Sequence, residues 1–448
     1  MLYRIFYYLF KLTVKGYFRS IYIKGKENIP AEGPVIFTPN HTSAFMDSIL
    51  LGTAISRSIY FLARGDVFKN KWVARLLHGI HMIPIYRKSE SPDHQIKNED
   101  TFRLCFDHLT QGGALMIFPE GVSKTERRLR PFKTGTARIA LGAENLNKFS
   151  LGVQIIPIGI NYSNPHHFRS DVFVQIGKPI PVSQYRETYK KENWQAVTEL
   201  TAQIKNELEK LVIIIENERL DRLIRQIEIL YRHTLRDNSK QEEKAPQDFY
   251  LSKEIVKAVE FHMKENPERV RKFEMRISAY LKDIKRLGIR DTIVRTSGIQ
   301  THLLSSLGYF TFGFPLFLYG YIFNYIPFKI AEKLVTYLNI REDFVGSVRM
   351  AGGMFVFLIL YIVEACLVWS VTNIMWALIF LLSLYPAGLF TLHYLKKYFQ
   401  GLHRIKYIQL FLRKSDLIAH IKVTREALID ELERGRMEYL DAGSNRQS

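Results

Sequence analysis

The sequence predicts an α/β fold: a mostly parallel sheet with covering helices, followed by a helical region and membrane helices. Three observations carry this. Short apolar runs alternate with helical stretches between residues 21 and 185, the pattern of strands buried on both faces of a parallel sheet. Apolar residues then recur at three- and four-residue spacing to about residue 300, the period of helices with one buried face. Beyond that lie long stretches almost free of charge.

The elements follow in order. Arg4, Lys11, Lys15 and Arg19 share one stripe, with Phe, Tyr, Leu and Ile filling the rest. This predicts an amphipathic helix over residues 1–20, lying in the headgroup layer with its cations toward anionic lipid; the competing reading packs it on the domain behind it. No small-residue cleavage site follows. Strands are predicted at Val35-Ile36-Phe37, ending at Pro39, and at Ile59–Ala63, Met82–Ile85, Ala114–Phe118 and Gln154–Ile160 within a domain spanning 21–185. Ile204, Leu208, Leu211 and Ile215, then Leu220, Leu223, Ile227 and Leu230, mark amphipathic helices of an accessory region over 186–300. Asp237 to Asp248 reads as a polar linker containing Pro246; helices follow from near Ser252 and from Pro267 to about Gly288.

Residues 296–328 hold no Asp, Glu, Lys or Arg, and 350–395 hold only Glu364. A membrane helix needs about 20 apolar residues, so 301–398 reads as membrane-embedded. The second stretch suits a hairpin of 350–371 and 374–395 turning at Thr372-Asn373. Pro315 and three glycines interrupt the first, which predicts a kinked or re-entrant segment. Cations flank every segment, and the positive-inside rule prefers these flanks on the cytoplasmic face. Glu364 is a functional candidate by its position or a hydrogen-bonded group at a helix contact. Residues 399–448 form a helical tail.

Lys+Arg 63 against Asp+Glu 44 gives a net charge of +19, which favours an anionic partner. Aromatic residues concentrate in the uncharged runs, so membrane lipids are expected and nucleic acid is not. Cys105 and Cys366 are the only cysteines, which argues against a disulfide framework or a zinc site. No glycine-rich nucleotide loop or metal-ligand cluster is evident, so no bound cofactor is expected.

Two motifs follow apolar strands: Asn40-His41-Thr42-Ser43-Ala44-Phe45-Met46-Asp47 and Phe118-Pro119-Glu120-Gly121. Catalytic groups of such sheets gather at the carboxyl ends of strands. A neutral imidazole, with an ordinary pKa of about 6.5, can take the proton of a hydroxyl, and a carboxylate on its other nitrogen fixes the tautomer. On a continuous helix six positions turn ~600°, so His41 and Asp47 must span a loop that leads into a helix. Arg87, Arg127, Arg128, Arg130 and Lys133 are candidate phosphate ligands. For Arg127, Arg128 and Arg130 a solvated basic run is the competing reading.

Four blocks stand in a fixed order: Asn40-His41 with Asp47; Gly79-Ile80-His81-Met82-Ile83-Pro84-Ile85-Tyr86-Arg87; Phe118-Pro119-Glu120-Gly121; and Ile156-Pro157-Ile158-Gly159. With the basic stretch Arg130-Pro131-Phe132-Lys133-Thr134-Gly135, they resemble the glycerophospholipid acyltransferase superfamily, of the lysophosphatidate and glycerol-3-phosphate acyltransferase type. The resemblance implies His41 as base and Asp47 as its orienter. It implies an acceptor site shaped by Phe118, Pro119, Glu120 and Gly121, with Arg87 and Lys133 favoured for the phosphate. Acyl-CoA or acyl-ACP would be the cosubstrate, and lysophosphatidate or glycerol-3-phosphate the acceptor. Two departures matter. Five residues separate His41 from Asp47 where many members have four, a spacing that resembles fungal glycerol-3-phosphate acyltransferases. Val122-Ser123 stands where many lysophosphatidate-type members have Thr-Arg, so the phosphate role passes to another cation. An inactive acyltransferase-like lipid-binding membrane protein is the non-enzymatic alternative; it is expected to lose His41, Asp47 or Glu120, and all three are present.

Overall fold

The computed structural model describes residues 2–86, 94–237, 244–295 and 303–444. Two compact units are present: Met1–Ile214 with Lys333–Met354, and Ile215–Glu332 with Phe355–Ser448.

The first unit is built on strands β1 (Ser20–Lys24), β2 (Val35–Pro39), β3 (Ile59–Arg64), β4 (Met82–Ile85), β5 (Ala114–Met116), β6 (Gln154–Tyr162), β7 (Asp171–Ile176) and β8 (Ile180–Pro181). Their order is β1-β7-β6-β2-β5-β3-β4, with β8 on β6. Every pairing is parallel except β6 with β7 and β6 with β8. All five predicted strands are present. β1, β7 and β8 were not predicted, and the antiparallel edge makes the sheet mixed.

Helices α1 (Leu2–Tyr17), α2 (Ala44–Ala54), α3 (Lys71–Gly79), α4 (His94–Thr110), α5 (Gly135–Leu146), α6 (Arg186–Lys191) and α7 (Asn193–Leu211) belong to this unit. The two-residue period of the central strands explains the layers. Val35, Phe37, Met116, Ile156 and Ile158 face Val14 and Tyr17 of α1 and Met46, Leu50 and Leu51 of α2. Ile36, Leu115 and Ile155 face the opposite core, with Leu109 of α4, Ile139 and Leu141 of α5, and Leu200 and Ile204 of α7. So α7, whose pattern alone suggested an accessory helix, covers the sheet. One face of α1 is likewise packed on the domain, while Ile5, Tyr8 and Leu12 on its other face stay exposed.

His81 has a ring on each side, Tyr3 at 4.2 Å and Tyr60 at 4.3 Å between centroids. His108 also lies against Tyr60, its Nε2 donating to the Ala114 carbonyl at 3.3 Å. Burial lowers the pKa of both below the ordinary 6.5, and further lowering comes from His108 at His81 and from Arg57 at His108. The unfolded chain therefore binds protons that the folded one refuses, and stability falls as pH drops below about 6.5. The melting temperature should fall between pH 7.5 and pH 5.5, and fall less in the double variant His81→Gln/His108→Gln. An equal fall in both proteins would contradict this.

The second unit holds α8 (Glu218–Asp237), α9 (Lys244–Glu265), α10 (Pro267–Arg286) and α11 (Asp291–Arg295). α9 begins ahead of the Ser252 expected, because Pro246 falls in its first turn, where the missing N–H costs nothing. Inside this unit Arg425 and Asp291 form a buried ion pair at 2.8 Å, and Asp291 also accepts from the Tyr280 hydroxyl at 2.7 Å. Long helices follow: α12 (Leu303–Tyr337), α13 (Glu342–Val371), α14 (Ile374–Arg413) and α15 (Ser415–Ser444). α12 runs through Pro315 and Pro327 without a break, in place of the re-entrant segment expected. Gly320 is pressed against α14, so close that an added Cβ would stand 2.4 Å from the Ala387 carbonyl and the Thr391 hydroxyl. Such small-residue contact lets helices approach closely. α13 and α14 are long and apolar enough to cross a membrane, and their most apolar windows are only 11% and 22% buried by protein. They meet at the predicted turn, where Asn373 caps α14 by accepting from the Trp376 amide at 3.1 Å. Glu364 Oε2 has no hydrogen-bond partner among the described residues.

Candidate active site

The site is assembled at the carboxyl ends of neighbouring strands. β2 lies in parallel register between β5 and β6, so the loops leaving β2 and β5 emerge side by side. That brings together His41 and Glu120, 79 positions apart.

Asn40 fixes the first loop. Its buried amide accepts from the Ile160 N–H at 2.7 Å and donates to the Ile160 carbonyl at 3.0 Å, prolonging the β2–β6 ladder with a side chain. His41 follows, and its Nδ1 lies 2.9 Å from Asp47 Oδ2. Asp47 sits in the first turn of α2 with its side chain fully buried. The same oxygen accepts from the amides of Thr42 at 2.9 Å and Ser43 at 2.8 Å. Its other oxygen accepts from the Tyr162 hydroxyl at 2.7 Å. A buried carboxylate needs such a set of donors, and the helix N-terminus adds a favourable dipole. Burial and the Asp47 charge push the Tyr162 phenol well above its ordinary pKa, so it remains a donor.

With Asp47 accepting, His41 Nδ1 carries the ring proton and Nε2 keeps its lone pair. The side chain is 17% exposed. The ring stacks on Phe118 at 3.9 Å between centroids, which sets its plane. The five-residue spacing is taken up at the mouth of α2, where Ala44 has φ of +36°. That left-handed region costs a non-glycine residue about 1–2 kcal/mol.

The second loop braces the first. Glu120 is 4% exposed; one carboxylate oxygen accepts from the His41 amide and the other from the Arg130 amide, both at 2.8 Å. Burial raises its pKa while these amides oppose the rise. Both oxygens face backbone amides, so Glu120 ties the His41 loop to the chain at Arg130. The Lys124 amide donates to the His41 carbonyl at 3.1 Å, and the Thr125 hydroxyl to the Thr42 carbonyl at 3.1 Å. Gly121 turns the chain with φ of +68°, and the Lys133 amide returns to the Pro119 carbonyl at 2.7 Å.

The predicted cations divide. Arg130 donates to Glu126 at 2.8 Å and Arg128 to the same carboxylate at 3.2 Å, with Lys124 also paired to it. Arg127 is half-buried. Lys133 is exposed beside Gly121, and its ammonium has no ion pair among the described residues. Arg87 lies outside the described residues.

Sequence reasoning missed four groups. Tyr162 is one; its signal was a tyrosine ending the apolar β6 run. Glu126 is another, an acid inside a basic run. The others come from the start of α13: Asp343 accepts from the Ser123 hydroxyl, and Arg341 grips Asp343 through Nε at 3.0 Å and a terminal nitrogen at 2.7 Å. Arg341 is one of the cations that flank the charge-free stretches; its side chain is 61% exposed.

The acyltransferase family model matches residues 20–161. Glycerol-3-phosphate O-acyltransferase 2 of Saccharomyces cerevisiae is 32% identical over 42% of this chain and 25% of its own length. A 1-acyl-sn-glycerol-3-phosphate acyltransferase of Bacillus subtilis is 27% identical over 44% of this chain and 91% of its own length. The chain thus matches about a quarter of the length of the yeast relative and nearly all of the bacterial one. The crystal structure of the lysophosphatidate acyltransferase PlsC from Thermotoga maritima aligns with 45% of this chain and 78% of that chain, at 19% identity and a TM-score of 0.33. The segment that the acyltransferase family model matches includes the loops that fold around His41 and Asp47.

Proposed function

We propose that this chain is an O-acyltransferase that moves a fatty acyl group from a thioester donor to the hydroxyl of 1-acylglycerol-3-phosphate in phospholipid synthesis. One observation carries the reading: His41 Nδ1 is held on the buried Asp47 carboxylate while Nε2 is left for a substrate. Nε2 takes the proton of the acceptor hydroxyl as that oxygen attacks the thioester carbonyl. The tetrahedral intermediate collapses, the C–S bond breaks, and the imidazolium returns its proton to the departing thiolate. The ester forms and the imidazole is neutral again. Asp47 stabilises the transient imidazolium, so no serine nucleophile is needed.

Lys133 is the first candidate for the acceptor phosphate, since its ammonium is exposed and uncommitted among the described residues. Arg127 and Arg130 line the same loop, and Arg341 stands beside Ser123. The donor is acyl-CoA or acyl-ACP. The apolar α13 and α14 hold the chain in a membrane, with the catalytic domain on the cytoplasmic face where the flanking cations collect.

Glycerol-3-phosphate is the alternative acceptor. Two observations favour it: the five-residue His41–Asp47 spacing and the 32% identity to the yeast relative. Profiling purified full-length protein with one labelled acyl thioester and several alcohols decides between them. Phosphate-bearing acceptors should be used and their dephosphorylated counterparts refused. Lys133→Ala should raise the acceptor KM by roughly 10–100-fold, the worth of one charge-assisted contact, with the donor KM unchanged. Equal use of dephosphorylated acceptors, or an unchanged acceptor KM, would remove the phosphate assignment.

A further inference from the structure

We propose that Gly346 and Ser347, in the first two turns of α13, are positioning residues that set the His41–Asp47 geometry. Catalysis by the imidazole then depends on a helix docked from some 300 positions away in the chain. This rests on the acyl-transfer reading above.

The loop between His41 and Asp47 needs outside support. Ala44 holds it in the left-handed region, and such strain persists only where surrounding contacts over-determine the backbone. Asp47 supplies part of the support through the Thr42 and Ser43 amides. The Glu120, Lys124 and Thr125 contacts hold the loop's first residues, the Met46 amide closes on the Ser43 carbonyl at 3.0 Å, and Ser347 adds a contact from α13. It is fully buried; its hydroxyl donates to the Ser43 carbonyl at 2.8 Å and accepts from the Met46 amide at 2.9 Å. Those two groups flank Ala44, so one hydroxyl clamps the strained corner.

Gly346 makes the approach possible. A Cβ there would stand 2.3 Å from the Pro165 carbonyl oxygen, 3.1 Å from the Ser43 hydroxyl and 3.2 Å from the Met46 methyl. The first of these contacts is with backbone and cannot swing aside, so any larger residue lifts α13 from the loop. The same helix end also reaches the other half of the site, where Asp343 accepts from Ser123. The next residue of that loop, Lys124, holds the His41 carbonyl. Both loops that fix His41 thus rest on α13, the element whose later residues are apolar enough to cross a membrane. Among the described residues, Ser347 has no hydrogen bond to the His41 ring, so it acts through the loop alone.

The test uses the full chain. Ser347→Ala should lower kcat about 5–10-fold, the effect of losing one to two buried hydrogen bonds, with both KM values within twofold. Ser347→Thr, which keeps the hydroxyl, should recover part of the rate. In an Asp47→Asn background the Ser347→Ala loss should shrink toward unity, because both act on one geometry; a merely structural role would add in full. Hydrogen exchange of the 41–47 peptide should quicken in Ser347→Ala, a readout that needs no acceptor. Gly346→Ala should reproduce both effects. Ser347→Cys, which keeps the volume and weakens both bonds, carries the test if the alanine variant does not fold. Unchanged kcat and unchanged exchange overturn the proposal, as does a kcat loss fully additive with Asp47→Asn. Faster exchange in a protein whose wild type acylates no alcohol supports the clamp and counts against the acyl-transfer reading alone.

Discussion

His41→Ala should lower acyl transfer by roughly 10²–10⁴-fold, the usual range for removing a general base, and should leave the fold intact. The neighbouring contacts explain why the fold survives. Glu120 grips the His41 amide and Lys124 the His41 carbonyl; alanine keeps both. The ring itself contributes only its stack on Phe118 and its bond to Asp47. Its removal leaves a slot beside Phe118 into which free imidazole fits, so millimolar imidazole should restore part of the lost rate. Steady-state rates and a thermal melt of the same preparation check this. A rate within a few-fold of wild type would show that another group takes the proton.

Asp47→Asn should give the second large effect, a loss of ~10³–10⁴-fold in kcat, as found when the carboxylate behind a catalytic histidine is made neutral. The cause is geometric as much as electrostatic. One Asp47 oxygen serves the ring, Thr42 and Ser43, and the other serves Tyr162. An asparagine can keep one acceptor oxygen only; its NH₂ must then face either Tyr162 or the imidazole. Facing the imidazole, it selects the tautomer with the proton on Nε2, which cannot act as base. Facing Tyr162, it leaves the imidazolium without a counter-charge. Tyr162→Phe removes a single neutral partner and should cost only about 5–10-fold. Comparing these variants at matched folded concentration separates charge from support. An Asp47→Asn loss no larger than that of Tyr162→Phe would contradict the role given to the carboxylate.

Local signals were legible and distant partnerships were not. β2, β5 and β6 announce themselves as apolar runs because both faces are covered. β7 offers only Val172-Phe173-Val174 between polar residues, and β1 follows directly on the cationic stripe of α1, so neither stood out. The period of α7 showed that one face is buried without showing what buries it. Pro246 was read as a breaker though a helix tolerates proline in its first turn. At the site, His41 and Asp47 were readable because they lie on one loop with chemistry suited to each other. Glu120 was readable as a conspicuous carboxylate after a strand, but its attachment to two backbones depends on where β2 and β5 place their loops. Tyr162, Asp343 and Ser347 come from segments whose own surroundings say nothing about catalysis. Only the fold delivers them, and the charge of Arg341 had a sufficient explanation at the membrane edge.

In the mechanism proposed above, the imidazole deprotonates an alcohol that attacks the thioester directly. The sharpest test of this step is to quench the purified full chain during turnover with a phosphate-bearing acceptor and measure product and intact protein mass together. Acylated product is expected from wild type, essentially none from His41→Ala, and a protein mass unchanged throughout. An acyl adduct that forms and decays on the protein at the rate of turnover, or product from His41→Ala at the wild-type rate, would contradict this mechanism.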